Sequence, residues 1–251
     1  MKTDYSRPAF AQRYARSRQI DEVTRATWVR ELAAHQPRPG GVCLDLGSGV
    51  GRFWPVLREA WSPGRILAVD ASVEMLSMAE GADVVRVCGD LDQLPLAGGS
   101  VDSCWCSMVL HYSSDLDATC RRLFDVVAPG GVLGVRTATQ STISSFTFLT
   151  FFPTALAAER RVMPYEQRIL EALHAAGFSG LDAKMVVSGG VRSYRALVRQ
   201  VWGRGFPSLQ FVPVGEFLRG MTRLVLTCAI RAARRTPLDP ELSFLVTGRR
   251  L

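Results

Sequence analysis

Val42-Cys-Leu-Asp-Leu-Gly-Ser-Gly-Val-Gly-Arg-Phe53 is a short apolar run that ends near a carboxylate, Asp45, and passes into glycines at alternate positions, Gly47, Gly49 and Gly51. Strand, glycine turn and helix in succession let main chain approach a ligand closely, because a Cβ at the turn would intrude. Dinucleotide sites space their glycines as G-x-G-x-x-G, whereas this stretch reads D-x-G-x-G-x-G. A dinucleotide pyrophosphate favours a helix N-terminus and no adjacent carboxylate. S-adenosylmethionine has no phosphate. Its α-ammonium and sulfonium are cations, and an acid at the strand end suits them better. The stretch, with Ser48 inside the turn, therefore favours adenosylmethionine over a dinucleotide.

The next strand, Arg65-Ile-Leu-Ala-Val-Asp70, also ends in an acid. A carboxylate there can accept both ribose hydroxyls of an adenosine, with Ala71 beside it. The plainer alternative is a turn residue before a helix capped by Ser72. A third strand ends Val87-Cys-Gly-Asp90-Leu91, where Asp90 can accept the adenine amine and Leu91 can cover the ring. Gly-Asp is also ordinary loop sequence. A fourth strand ends at Ser107-Met108, whose backbone would meet the amino-acid end of the cofactor. His111 is the histidine near this edge, either a general base or a packing residue. Tyr14, on an N-terminal helical pattern over 8–35, is the second catalytic candidate, with Tyr5 and Tyr112 also near the mouth.

The pattern predicts strands at 42–46, 65–69, 84–88, 101–107, 131–137, 181–187 and 243–248. Helices are expected at 50–60, 73–80, 115–127 and 165–176. Regular alternation of this kind implies an α/β protein, a doubly wound sheet with helices on both faces. The expected organisation is one domain over 1–251, with an N-terminal helical cap (1–37) and a cofactor-binding core (40–137). Two segments break the alternation, 138–165 and 190–237, both rich in large apolar side chains. They read either as lid and substrate-binding insertions or as an added helical layer.

The chain has 251 residues, 47% hydrophobic and 21% charged, as in a water-soluble globular protein. Residues 1–20 lack the apolar core of a secretory signal, and Phe146–Ala158, interrupted by Pro153, is too short to span a bilayer. Six scattered cysteines suit a reducing, cytoplasmic setting, and Cys104-Trp-Cys106 has no second ligand cluster, so no metal is expected. Charge is uneven. Residues 190–251 carry 11 arginines against Glu216, Asp239 and Glu241. That surplus is either a solvated face or a site for an anionic acceptor or acidic carrier protein, with Arg199, Arg204 and Arg219 as candidates. Nucleic acid is not favoured, since no aromatic-interleaved basic run accompanies the charge.

Taken in order, Leu44-Asp-Leu-Gly-Ser-Gly-Val-Gly51, Val69-Asp-Ala-Ser72, Gly89-Asp-Leu-Asp-Gln-Leu-Pro-Leu96 with Ser100-Val-Asp102, Val109-Leu-His111 and Ala128-Pro-Gly-Gly131 resemble the class I S-adenosylmethionine-dependent methyltransferases. The small-molecule, "type 11" and ubiquinone-biosynthesis branch is the most similar. Cys120-Arg-Arg-Leu-Phe-Asp-Val-Val127 departs from the Glu and Arg pair usual there. The resemblance implies a Rossmann-like seven-stranded sheet of order 3-2-1-4-5-7-6 with an antiparallel last strand. It also implies that Gly47, Gly49 and Gly51 approach the methionine, Asp70 the ribose, and Asp90 with Leu91 the adenine. The expected reaction is in-line methyl transfer to a small molecule, which chiefly requires alignment of acceptor and methyl. Two alternatives stand beside it: an anionic or carrier-bound acceptor, and a cofactor-binding protein that transfers no methyl.

Overall fold

The computed structural model describes Gln12 and residues 20–81, 83–187 and 193–251. Tyr5 and Tyr14 lie outside the described residues. The expected helix over 8–35 does not run through: a helix α1 begins at Glu22, where the Asp21 carboxylate accepts the Thr24 N–H at 2.8 Å, and ends at Ala33. A side chain that caps a helix stops it from continuing backward.

Seven strands follow: β1 Val42–Leu46, β2 Arg65–Asp70, β3 Val84–Cys88, β4 Val101–Ser107, β5 Val127–Thr137, β6 Ser179–Val187 and β7 Leu242–Arg249. They form one sheet in the order β3-β2-β1-β4-β5-β7-β6. Pairing is parallel from β3 to β5, and β7 runs antiparallel to both β5 and β6. The central strands β1 and β4 are buried on both faces, as parallel strands between helical layers must be. Leu44, Leu46, Cys104 and Cys106 point to one face, under helices α4 (Leu116–Val126) and α6 (Glu166–Ala176). Cys43, Ala68 and Trp105 point to the other, under α1 and α2 (Trp54–Trp61).

Caps place the connections. The Ser72 hydroxyl accepts the Met75 N–H at 3.2 Å and starts α3 (Val73–Ser77), shorter than the expected 73–80. Gly177, at φ 108°, ends α6. A third apolar cluster stands apart from the sheet. It is built by two short 3₁₀ turns (147–151 and 207–211), α5 (Pro153–Val162), α7 (Tyr194–Trp202) and α8 (Val214–Ala233). Its centre is Phe148, Phe152, Leu209, Phe217 and Met221, the residues that interrupt the βα alternation in the sequence.

Candidate functional site

The carboxyl ends of β1, β2, β3 and β4 border a cavity of about 270 Å³. Ten of the eleven residues expected at the cofactor line it: Asp45, Gly47, Ser48, Gly49, Asp70, Ala71, Asp90, Leu91, Ser107 and Met108. Gly51 stands back, because a Cβ there would fall 2.6 Å from the Trp54 ring. The expectation that the glycines make room for ligand is thus only part of their role. Gly51 makes room for an indole.

Asp70 is held rigidly. The Gly49 N–H donates to its Oδ2 and the Ser72 N–H to its Oδ1, both at 2.8 Å. Each oxygen keeps a lone pair for a ribose hydroxyl. Burial raises its pKa while these two N–H bonds pull the other way. Asp90 sits at the exposed lip, its Oδ1 accepting the Asp92 N–H at 2.9 Å, with Leu91 half-buried behind it.

Asp45 is more deeply placed than a ligand-facing acid need be, at 2% exposure. Its Oδ2 accepts the Trp54 indole N–H at 2.9 Å. Burial pushes its pKa up to about 6, against the opposing bonds from Ser48 and Trp54. A carboxyl raised above its ordinary value stabilises the fold fully below that ordinary value, near pH 4, and the contribution is lost as pH climbs through about 6. Asp45→Asn is therefore expected to gain roughly 2–3 kcal/mol on the wild type between about pH 4 and pH 7, measured by urea unfolding.

Met108 has φ 56°, the left-handed region, with its N–H donated to the Arg136 carbonyl at 2.7 Å. A non-glycine residue held there costs on the order of 1–3 kcal/mol and such strain gathers at functional sites. It stands where the cofactor cavity meets a second cavity of about 100 Å³, in the third cluster. Arg52, Met108, Tyr112 and Arg136 line both. The second cavity is otherwise mainly apolar, with Phe146, Phe148, Phe206 and Phe211, and holds Glu159 and Glu241.

Arg52 and Arg136 were missed by sequence reasoning. Arg52 follows Gly51 directly, a signal available in the motif. Arg136 reaches the site only through pairing of β4 with β5, in register with Ser107, whose Oγ it meets at 3.2 Å. Its guanidinium stands 5.2 Å from the Trp28 ring centre and 5.5 Å from that of Phe53, which Arg52 also faces.

His111 lines the second cavity, half-buried, its ring centre 4.1 Å from that of Tyr112. Burial lowers its pKa to about 4, so the imidazole is neutral at pH 7. Its Nδ1 is shut from solvent and has no hydrogen-bond partner among the described residues. None of the described C-terminal arginines lines either cavity. Arg204 donates to the Leu209 and Val212 carbonyls at 2.6 and 3.4 Å and covers the Phe217 ring. Arg231 pairs with Asp239, and Arg249 and Arg250 hold main-chain carbonyls. Four of the 11 arginines in residues 190–251 thus serve the fold.

Among the described residues no group of three or more His, Cys, Asp or Glu could hold a metal, and no helix is long and apolar enough to cross a membrane.

Residues 44–135 match the family model described as a methyltransferase domain. A malonyl-[acyl-carrier protein] O-methyltransferase of Herminiimonas arsenicoxydans is 34% identical over 148 residues, 58% of this chain and 55% of that one. The enzyme of the same name from Methylococcus capsulatus is 31% identical over 184 residues, 70% of this chain and 66% of its own. The chain thus spans little more than half the length of the first of these relatives. Among solved structures, an S-adenosylmethionine-dependent methyltransferase from Mesorhizobium loti has TM-score 0.54 and 21% identity, covering 88% of this chain and 96% of that one. The [4+2]-cyclase SpnF has TM-score 0.56 and 20% identity, covering 88% and 80%. The sheet order, the acids at successive strand ends and the matching family model agree: residues 44–135 belong to the class I S-adenosylmethionine-dependent methyltransferases.

Proposed function

We propose that this protein, acting in the cytoplasm, transfers the methyl group of S-adenosylmethionine to a carboxylate oxygen of an acyl group borne by an acyl carrier protein. The observation that carries the reading is the shared wall of the two cavities. Its cations, Arg52 and Arg136, line both cavities and stand where the acceptor would meet the methyl donor. Two guanidinium groups suit a carboxylate. The names of the malonyl-[acyl-carrier protein] O-methyltransferase relatives support the same acceptor class. The fold by itself does not choose, since a [4+2]-cyclase shares it.

In this reading the carboxylate oxygen attacks the methyl carbon in line, the carbon–sulfur bond breaks, and its electron pair stays on sulfur. The sulfonium becomes a neutral thioether, adenosylhomocysteine, and the acceptor becomes a methyl ester. Asp70 holds the ribose, Asp90 and Leu91 the adenine, and the segments 138–165 and 190–237 cover the acceptor. Arg52 and Arg136 orient the carboxylate, and alignment of this kind can supply on the order of 7–11 kcal/mol.

A carboxylate is already deprotonated at neutral pH, so no general base is required. His111→Gln is expected to lower kcat less than about fivefold, with an unchanged profile from about pH 6 to pH 8, whereas loss of a needed base costs a hundredfold or more. An uncharged metabolite that must lose a proton, which the aromatic lining would also admit, predicts the larger loss. The direct test is incubation with adenosylmethionine and malonyl groups on an acyl carrier protein, with mass spectrometry for the methyl ester. Adenosylhomocysteine and ester formed together support the proposal. No ester on either the carrier or a free malonyl thioester would overturn it.

A further inference from the structure

Helix α8 has two apolar faces. Phe217, Met221, Leu224 and Cys228 are buried on the inner one. On the opposite side Leu226 and Ile230 are 59% and 53% exposed, with Leu218 at 53% on the flank, although a surface helix normally turns polar residues outward. Trp202 of α7 is exposed as well, and its ring lies 6.3 Å from that of Phe217. At helical spacing Arg219, Arg223, Leu226 and Ile230 form one stripe, beside Leu218, Thr222 and Val225. The acid of this helix is engaged elsewhere: the Glu216 carboxylate accepts from the N–H and hydroxyl of Thr154, at 3.0 and 2.6 Å. The outward face is therefore apolar with a row of arginines and no acid. An exposed apolar patch with a charged border marks a partner surface.

From this arrangement we infer that the outward face of α8 docks the acidic carrier protein that delivers the acceptor, an inference resting on the carrier-bound reading above. Charge selects the occupant. A second copy of this chain would bring the same arginine-rich segment against itself, with 11 arginines and three acids over residues 190–251. An acidic helical carrier complements it, and complementary charge raises the association rate and fixes the docking register. Position agrees. Phe211 lines the acceptor cavity, α8 begins three residues on, and Leu218, one turn into the helix and at most about 16 Å away, opens the exposed face.

The test compares the wild type with the double variant R219E/R223E and with L226S, none of which touches either cavity. Calorimetry with a purified acyl carrier protein bearing no acyl group measures docking alone. Activity is measured on malonyl-carrier and on the malonyl thioester of a free pantetheine arm. Docking at α8 predicts carrier binding by the wild type that weakens at least tenfold in R219E/R223E and measurably in L226S. It also predicts a matching fall of kcat/KM on malonyl-carrier and a change of less than twofold on the free thioester. Equal binding by wild type and variants, no binding by the wild type, or cosedimentation with anionic lipid vesicles in place of carrier binding would overturn it. The two proposals fail differently. Methylation of malonyl-carrier undiminished in R219E/R223E rejects the docking face and leaves the acceptor, whereas α8-dependent carrier binding without any ester rejects the acceptor and leaves the docking face.

Discussion

Asp70→Asn is expected to weaken adenosylhomocysteine binding by a hundredfold or more, as read by calorimetry at pH 7. Two backbone N–H groups, from Gly49 and Ser72, converge on the two oxygens of this carboxylate. An amide offers them one oxygen and one NH₂, so one N–H is left facing a donor, at about 1–3 kcal/mol. The ribose loses a charged acceptor as well, and bonds to charged groups are worth about 1.5–3 kcal/mol. Relief of the buried charge offsets part of this, since burial raises the Asp70 pKa. Taken together the loss is about 3 kcal/mol or more, and each 1.4 kcal/mol is about tenfold. Unchanged affinity in the variant would remove the cofactor assignment.

Gly47→Ala is expected to damage folding and binding at once. Gly47 has φ 69°, and a Cβ built on it falls 2.6 Å from the Val109 side chain. The left-handed conformation costs alanine on the order of 1–2 kcal/mol, and forcing a methyl into packed space costs about 1–3 kcal/mol more. The turn also holds two main-chain bonds, from the Gly47 and Ser48 N–H groups to the Val69 carbonyl at 2.8 and 3.1 Å, which fix β1 against β2 at the cavity floor. A drop of roughly 2–5 kcal/mol in unfolding free energy, with loss of cofactor affinity, is the predicted outcome. A variant as stable as the wild type, measured by urea unfolding, would show that the loop relaxes freely.

The cofactor side of the site was legible because its determinants are local. Glycines at alternate positions and acids at strand ends are set by a few neighbouring residues, and strand periodicity then brings them to one edge. The acceptor side was not, for the opposite reason. Arg136 reaches Arg52 only through the pairing of β5 with β4, a long-range fact with no local signature. Arg204, a candidate in the sequence for meeting an anionic acceptor or carrier, instead reaches the Leu209 and Val212 carbonyls and the Phe217 ring. Arg204 itself has φ 50° just after Gly203, a turn geometry that side-chain charge does not disclose. The N-terminal helix pattern ran across a break at residues 20–21 because apolar spacing outweighed the capping preference of Asp21.

The indole of Trp54 shares its N–H with Asp45 and Ser48, at 2.9 and 3.0 Å, and Asp45 titrates near 6. An excited indole responds to the charge and polarity of its hydrogen-bond partner. The emission of Trp54 should therefore follow the protonation of Asp45, and shift again when a cation enters the cavity that Asp45 borders. Isolated from the emission of the other four tryptophans, Trp54 would report cofactor occupancy without label or acceptor.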